Sequence, residues 1–291
     1  MTESNVPLLR IAPFLFILTW ASGFPMVRWG LEFIEPFTLL WIRSLIVVTT
    51  VSIYVFFVKA YWPSFKEILH IAIVGITLQT LYLGSMFCAL DGGVGQGVAA
   101  LIAGMQPLLT AAIVGITLGE RVDGIQWMGF ALGFIGLFIV VSERLGIGVA
   151  TTEGFIFAFL TPIFITAASL YQKRYCANSD LRIVMIVQQT AAGICNFIIS
   201  LCIETTNIVW GVEVLTVLLW LAFGLTVGAT NLYYLMLRHG NAARVSSLFY
   251  LTPPIAAFFG WITYGETVGI LGFAGFFVSV LGVFLVTRQS R

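Results

Sequence analysis

Two stretches of this chain carry the same punctuation in the same order, 146 residues apart, inside an almost unbroken apolar background. Gly104–Val140 reads GMQPLLTAAIVGITLGERVDGIQWMGFALGFIGLFIV, and Tyr250–Val286 reads YLTPPIAAFFGWITYGETVGILGFAGFFVSVLGVFLV. Adding 146 takes Pro107 to Pro253, Gly119–Glu120 to Gly265–Glu266, Gly133 to Ser279 and Gly136 to Gly282. Such an echo means two copies of one structural unit, and both halves must satisfy the same solvent. In a bilayer, duplicated halves are a common way to build one site that opens to alternate faces.

Composition identifies that solvent. Hydrophobic residues make up 59% of the chain and charged residues 9%, against about a quarter charged in soluble domains. A chain this apolar cannot cover itself with polar groups in water, so it is predicted to be an all-α integral membrane protein. The net charge of +1 gives no polyanion-binding signal, so no nucleic-acid partner is expected. Cys88, Cys176, Cys195 and Cys202 form no C-x-x-C pair and read as small hydrophobes rather than metal ligands. Arg10, the apolar run from Ile11 and Ala21–Ser22–Gly23 resemble a signal peptide on the surface. The apolar stretch continues past them, which predicts an uncleaved first helix.

Crossing about 30 Å of hydrocarbon takes about 20 residues. Segments of that kind fall at 11–30, 36–58, 68–90, 94–118 and 124–142, then at 154–173, 182–203, 214–237, 242–264 and 268–287. These ten spans divide into a first unit, 11–142, and a second, 154–287. With ten spans, one side of the membrane receives Arg10, Lys59, Lys66, Arg121, Lys173, Arg174, Arg182, Arg238, Arg244, Arg288 and Arg291; the other receives only Arg28 and Arg144. The positive-inside rule then places both termini in the cytoplasm. Each half holds an odd number of spans, so the second enters the membrane upside down relative to the first. The expected fold is two inverted-topology five-helix repeats. That arrangement suits a transporter, and a duplicated scaffold without transport is the bland alternative.

The spans also limit the chemistry. No Asp or Glu falls at the centre of a span, with Asp91 the nearest approach, so ion coupling through a buried carboxylate has no obvious carrier. Lys59, Lys66 and Lys173 do not follow glycine, so no phosphate-binding loop for ATP exists. Neither His70 nor His239 has a companion nucleophile and carboxylate in sequence reach, and no enzyme activity, metal or cofactor is expected. Arg43 is the one charge committed to a span, seven residues after Pro36 and about 10 Å along the helix. It reads as an anchor for a substrate anion or as a structural group that bonds to helix ends or snorkels outward. Pro107 and Pro253, both mid-span, free backbone carbonyls where a cavity tolerates them, or serve as plain kinks. Gln106 and Thr252 precede them. Gln79 and Tyr82 share a face of the third span, as Asn231 and Tyr234 do on the eighth. With Trp20, Phe24 and Tyr250 these residues predict a neutral, aromatic-lined pocket for a small amphipathic or zwitterionic solute. Gly129-x-x-x-Gly133 and Gly275-x-x-x-Ser279 allow close helix approach and read as scaffold, clamping the halves or forming a homodimer surface.

The motifs resemble those of EamA-type permeases of the drug/metabolite transporter superfamily. WASGFP at Trp20–Pro25, P-x6-R at Pro36–Arg43, LYLGSMFCAL at Leu81–Leu90, AALIAGMQPLLTAAI at Ala99–Ile113 and the GE turns at Gly119–Glu120 and Gly265–Glu266 carry the likeness. The resemblance covers nearly the whole chain and implies an inner-membrane exporter or importer of amino acids, nucleobases, other metabolites or drugs, with a cavity between the halves. The second half departs from it at Thr166–Tyr171, where TAASLY replaces the tryptophan motif. The expected function is thus movement of a small solute by alternating access, with export the expected direction and lipids and the solute as partners. A lipid-carrier flippase or a passive channel on the same repeat is the alternative.

Overall fold

The protein is described by a computed structural model covering residues 6–58, 60–94, 99, 102–142, 151–252, 255, 259 and 270–287. Helix α1 (Val6–Ala21) breaks at Ser22 into α2 (Gly23–Gly30), and α3 (Pro36–Phe57) and α4 (Phe65–Gly75) follow. A π-helical stretch, Ile76–Tyr82, joins α4 to α5 (Leu83–Asp91). Next come α6 (Gln106–Leu118), α7 (Gly124–Ser142), α8 (Thr152–Tyr175), α9 (Leu181–Ile203) and α10 (Val212–Leu219). A second π-helical stretch, Trp220–Thr230, leads to α11 (Asn231–His239), and α12 (Ala242–Ser247) and α13 (Ile270–Thr287) complete the set. Among the described residues there is no strand, only an isolated bridge between Ile34 and Ile208.

Six helical runs among the described residues are long and apolar enough to cross a membrane: Ile11–Gly30, Pro36–Phe57, Phe65–Asp91, Thr152–Tyr175, Leu181–Ile203 and Val212–His239. Gln106–Leu118 and Ile270–Val286 are shorter apolar helices. The six coincide closely with expected spans, because an apolar helix is the one way such a segment satisfies its own backbone in hydrocarbon. The outer faces carry Phe56, Phe57, Ile116 and Phe273, each more than 60% exposed, as lipid contact requires. Cys176 is buried as a small hydrophobe would be, whereas Cys202 sits on the exposed side of α9.

Two helix pairs form the frame. Helix α7 packs along α13 through residues too small to hold the helices apart. A Cβ built on Gly136 would lie 2.4 Å from the Ser279 nitrogen, and one on Gly282 would lie 2.4 Å from the Gly133 nitrogen. The small-residue stripe expected to clamp the halves or serve a homodimer is therefore occupied within one chain. Helix α3 packs along α9, where Ser44 donates to Gln189 Oε1 at 2.8 Å. The π-helical stretches also obey the offset, since Ile76–Tyr82 plus 146 falls inside Trp220–Thr230.

Half-buried carboxylates staple the ends. At one end Glu204 accepts from the backbone N–H groups of Phe37 (2.6 Å) and Thr38 (2.8 Å), both orphan donors of the first turn of α3. Thr205 returns the contact by donating to Glu35, which precedes that helix. At the other end Glu120 pairs with Lys173 at 2.5 Å and accepts from the N–H of Ala242 at 3.0 Å, tying the α6–α7 turn to α8 and α12. Gly119 closes α6 with φ +68°, a left-handed cap that a side chain would strain.

Candidate functional site

Trp20 and Phe24 come from either side of the Ser22 break, Arg43 from the middle of α3, and Gln79 and Tyr82 from the first π stretch. All five line one cavity, completed by Leu83, Met86 and Phe87 of α5 and by Leu221, Leu225, Thr226 and Thr230 of the second π stretch. The cavity encloses about 50 Å³, room for a few water-sized groups. A π-helix shifts its hydrogen bonds to i→i+5 and sets carbonyls free of the regular ladder. Here threonines take them up: Thr226 donates to the Leu221 carbonyl at 2.9 Å and Thr230 to the Leu225 carbonyl at 3.2 Å.

Arg43 is 2% exposed, and its Nη2 donates to Gln79 Oε1 at 2.8 Å. Its Nε has no partner. The ion pairs among the described residues join Lys173 to Glu120 and Arg182 to Asp180, so Arg43 has no counter-ion among them. A buried charge in that position costs about 3 kcal/mol or more. No acidic side chain among the described residues lines the cavity. Tyr82 places its hydroxyl beside the indole of Trp20. Behind them stands an aromatic wall, in which Phe16 stacks on Tyr233 at 5.5 Å and Trp20 meets Phe249 edge-on at 5.3 Å.

The other expected site residues lie elsewhere. Gln106 donates to the Tyr233 hydroxyl at 3.3 Å, and that hydroxyl donates to Ser169 at 2.7 Å. Tyr234 donates to Gln188, which donates to Gln172. Asn231 turns its amide onto the Val227 carbonyl of its own helix at 2.9 Å. Tyr250 packs on the scaffold: a Cβ on Gly133 would meet its ring at 2.3 Å. Pro107 occupies the first turn of α6, directly after the turn at Gly104–Met105 that separates α6 from helical Ile102 and Ala103. Its missing N–H would have had no partner there, so the helix breaks just before the proline. Thr252 is buried with its hydroxyl unpartnered, and Pro253 lies outside the described residues. Asp91, the nearest acidic group to a span centre, is exposed at the end of α5.

Tyr233 is the residue that sequence reasoning passed over. Tyr233 and Tyr234 are adjacent and chemically alike, and only the placement of α8 and α1 decides which of them joins the wall. A separate apolar groove of about 570 Å³ runs along Leu18, Pro25, Met26 and Trp29. The Trp220 indole donates to Ser22 there at 2.9 Å.

The model of the EamA-like transporter family matches residues 10–142 and again 152–288. A protein named a probable amino-acid metabolite efflux pump, from Salmonella typhimurium, is 25% identical over 95% of this chain and 96% of its own length. The uncharacterized inner membrane transporter YedA of Escherichia coli K12 is also 25% identical, over 95% of this chain and 89% of its own. A solved crystal structure superposes with a TM-score of 0.79 at 17% identity, covering 96% of this chain and 97% of the other, which is a likeness of fold.

Proposed function

The chain belongs to the EamA-like transporter family, and from that premise we propose that it is a multi-pass inner-membrane permease that exports a small metabolite by alternating access. The observation that carries this reading is the convergence of Trp20, Phe24, Arg43, Gln79 and Tyr82 on one buried cavity, from segments spread over the first half and closed by the second π stretch of the other. A cavity bounded by both halves is where a rocking mechanism keeps its site. Its small volume in this conformation means that a whole solute enters only as the flanking helices separate.

In this reading the ten spans form two inverted five-helix units, 11–142 and 154–287, with both termini in the cytoplasm. The coincidence of the two π stretches under the 146-residue offset supports it, as does the arginine and lysine asymmetry. The named relatives favour an amino-acid-like solute. Efflux of labelled amino acids, nucleobases and drugs from overexpressing cells, with and without an uncoupler, tests the function. Saturable, cavity-dependent efflux is expected. Non-saturable flux makes the chain a channel, and scrambling of labelled lipid without solute flux makes it a flippase. Reporter fusions at each terminus test the orientation.

A further inference from the structure

Arg43 has no counter-ion among the described residues. At 2% exposure its guanidinium does not snorkel, and its one hydrogen bond among the described residues goes to the Gln79 side chain rather than to a helix end. Neither structural account of a charge at this depth is met among the described residues. What remains is a planar fork of five donors, with one spent on Gln79, an unpartnered Nε, no counter-ion among the described residues, and a cavity at its side.

Resting on the permease reading above, we propose that the transported solute is a carboxylate with an apolar body, its carboxylate docked on Arg43 beside Gln79 and its body against Trp20, Phe24 and Tyr82. The charge count favours a carboxylate. One cation and one side-chain amide match a monoanion, whereas a phosphate dianion would leave a buried negative charge. Gln79 accepts from Arg43 through its oxygen, which leaves its amide N–H₂ as a donor for the second carboxylate oxygen. Among the described residues the cavity lining contains no acidic group to pair with an ammonium, so the carboxylate is the group that the site selects. Aromatic and aliphatic walls suit a flat or branched apolar body.

Full-length protein in proteoliposomes tests this with matched probes: phenylacetate and 4-methylpentanoate against phenylacetamide and 4-methylpentanamide. The wild type is expected to move at least one carboxylate about 10- to 100-fold faster than the amides, as charge-assisted hydrogen bonds imply. Arg43→Gln loses this preference. Because that variant also removes a packed side chain, Gln79→Glu is the decisive partner. It neutralises Arg43 from within, so it keeps or raises the thermal midpoint and still brings the carboxylate preference close to one. Equal wild-type rates for carboxylates and amides, or a Gln79→Glu variant that keeps the preference, overturns the carboxylate proposal and leaves the permease reading standing. No saturable flux of any probe, charged or neutral, tells against both.

Discussion

Ser279 Oγ donates to the Gly133 carbonyl at 3.5 Å, and these two residues are 146 positions apart. They hold the same place in the two copies of the repeat, so α7 and α13 touch each other at matching points. Gly129, Gly136 and Gly282 extend the seam, each with backbone where a side chain would go.

Gly282→Val is therefore expected to destabilise the protein by about 1–3 kcal/mol or more, because the added carbons meet the Gly133 nitrogen and Gly129 oxygen, which have no rotamer to yield. Thermal unfolding in detergent, followed by size-exclusion chromatography, reads the loss. An unchanged midpoint would show that the helices part at little cost.

Tyr82→Ala is expected to lower solute flux about tenfold or more with membrane abundance unchanged, since it removes a cavity wall and the contact to Trp20. Gln106→Ala is expected to lower flux as well, by releasing Tyr233 from its 3.3 Å hydrogen bond. Asn231→Ala should leave flux near wild type, because that amide serves only its own helix. Equal losses at all three positions would mean the cavity has no special standing.

Glu204→Ala removes three hydrogen bonds at the start of α3, two from orphan backbone donors and one from the Thr38 hydroxyl. A cap of this kind contributes about 1–2 kcal/mol, and the thermal midpoint should fall accordingly. Thr38→Val, which deletes one of the three, should cost less.

Asp180 caps α9 outside the membrane spans, and its hydrogen bond with the Arg182 side chain holds its carboxyl below the usual carboxylate range. Its folded pKa is thus depressed. The stabilisation it brings is present above about pH 4 and disappears as pH falls through the folded value. The midpoint measured from pH 6 down to pH 3 should fall more steeply for the wild type than for Asp180→Asn. Parallel curves would show that the cap contributes nothing that titrates.

Much of this was legible beforehand. The expected spans 36–58, 182–203 and 214–237 end within two residues of the helices Pro36–Phe57, Leu181–Ile203 and Val212–His239, because hydrocarbon leaves an apolar segment no other hydrogen-bonded form. Depth and spacing single out Trp20, Phe24, Gln79 and Tyr82, and the four meet in one cavity. The same criteria single out Asn231, Tyr234 and Tyr250, which do not line it. Gln79 and Tyr82 lie within a π stretch and still meet, whereas Asn231 turns onto the Val227 carbonyl and Tyr234 onto Gln188, contacts set by how the helices are rotated in the bundle. Pro107 reads as a break in an apolar run, and the chain does turn at Gly104–Met105 just before the helix that begins at Gln106.

The sequence by itself determined the solvent, the helical class and the duplication, since these follow from composition and periodicity along the chain. The tertiary structure decided which side chains meet: Arg43 with Gln79, 36 residues on, Ser44 with Gln189, 145 on, and Gly133 with Ser279. Those contacts depend on how the helices rotate and approach one another in space. Packing and hydrogen bonding between distant segments set that rotation, and no local pattern records it.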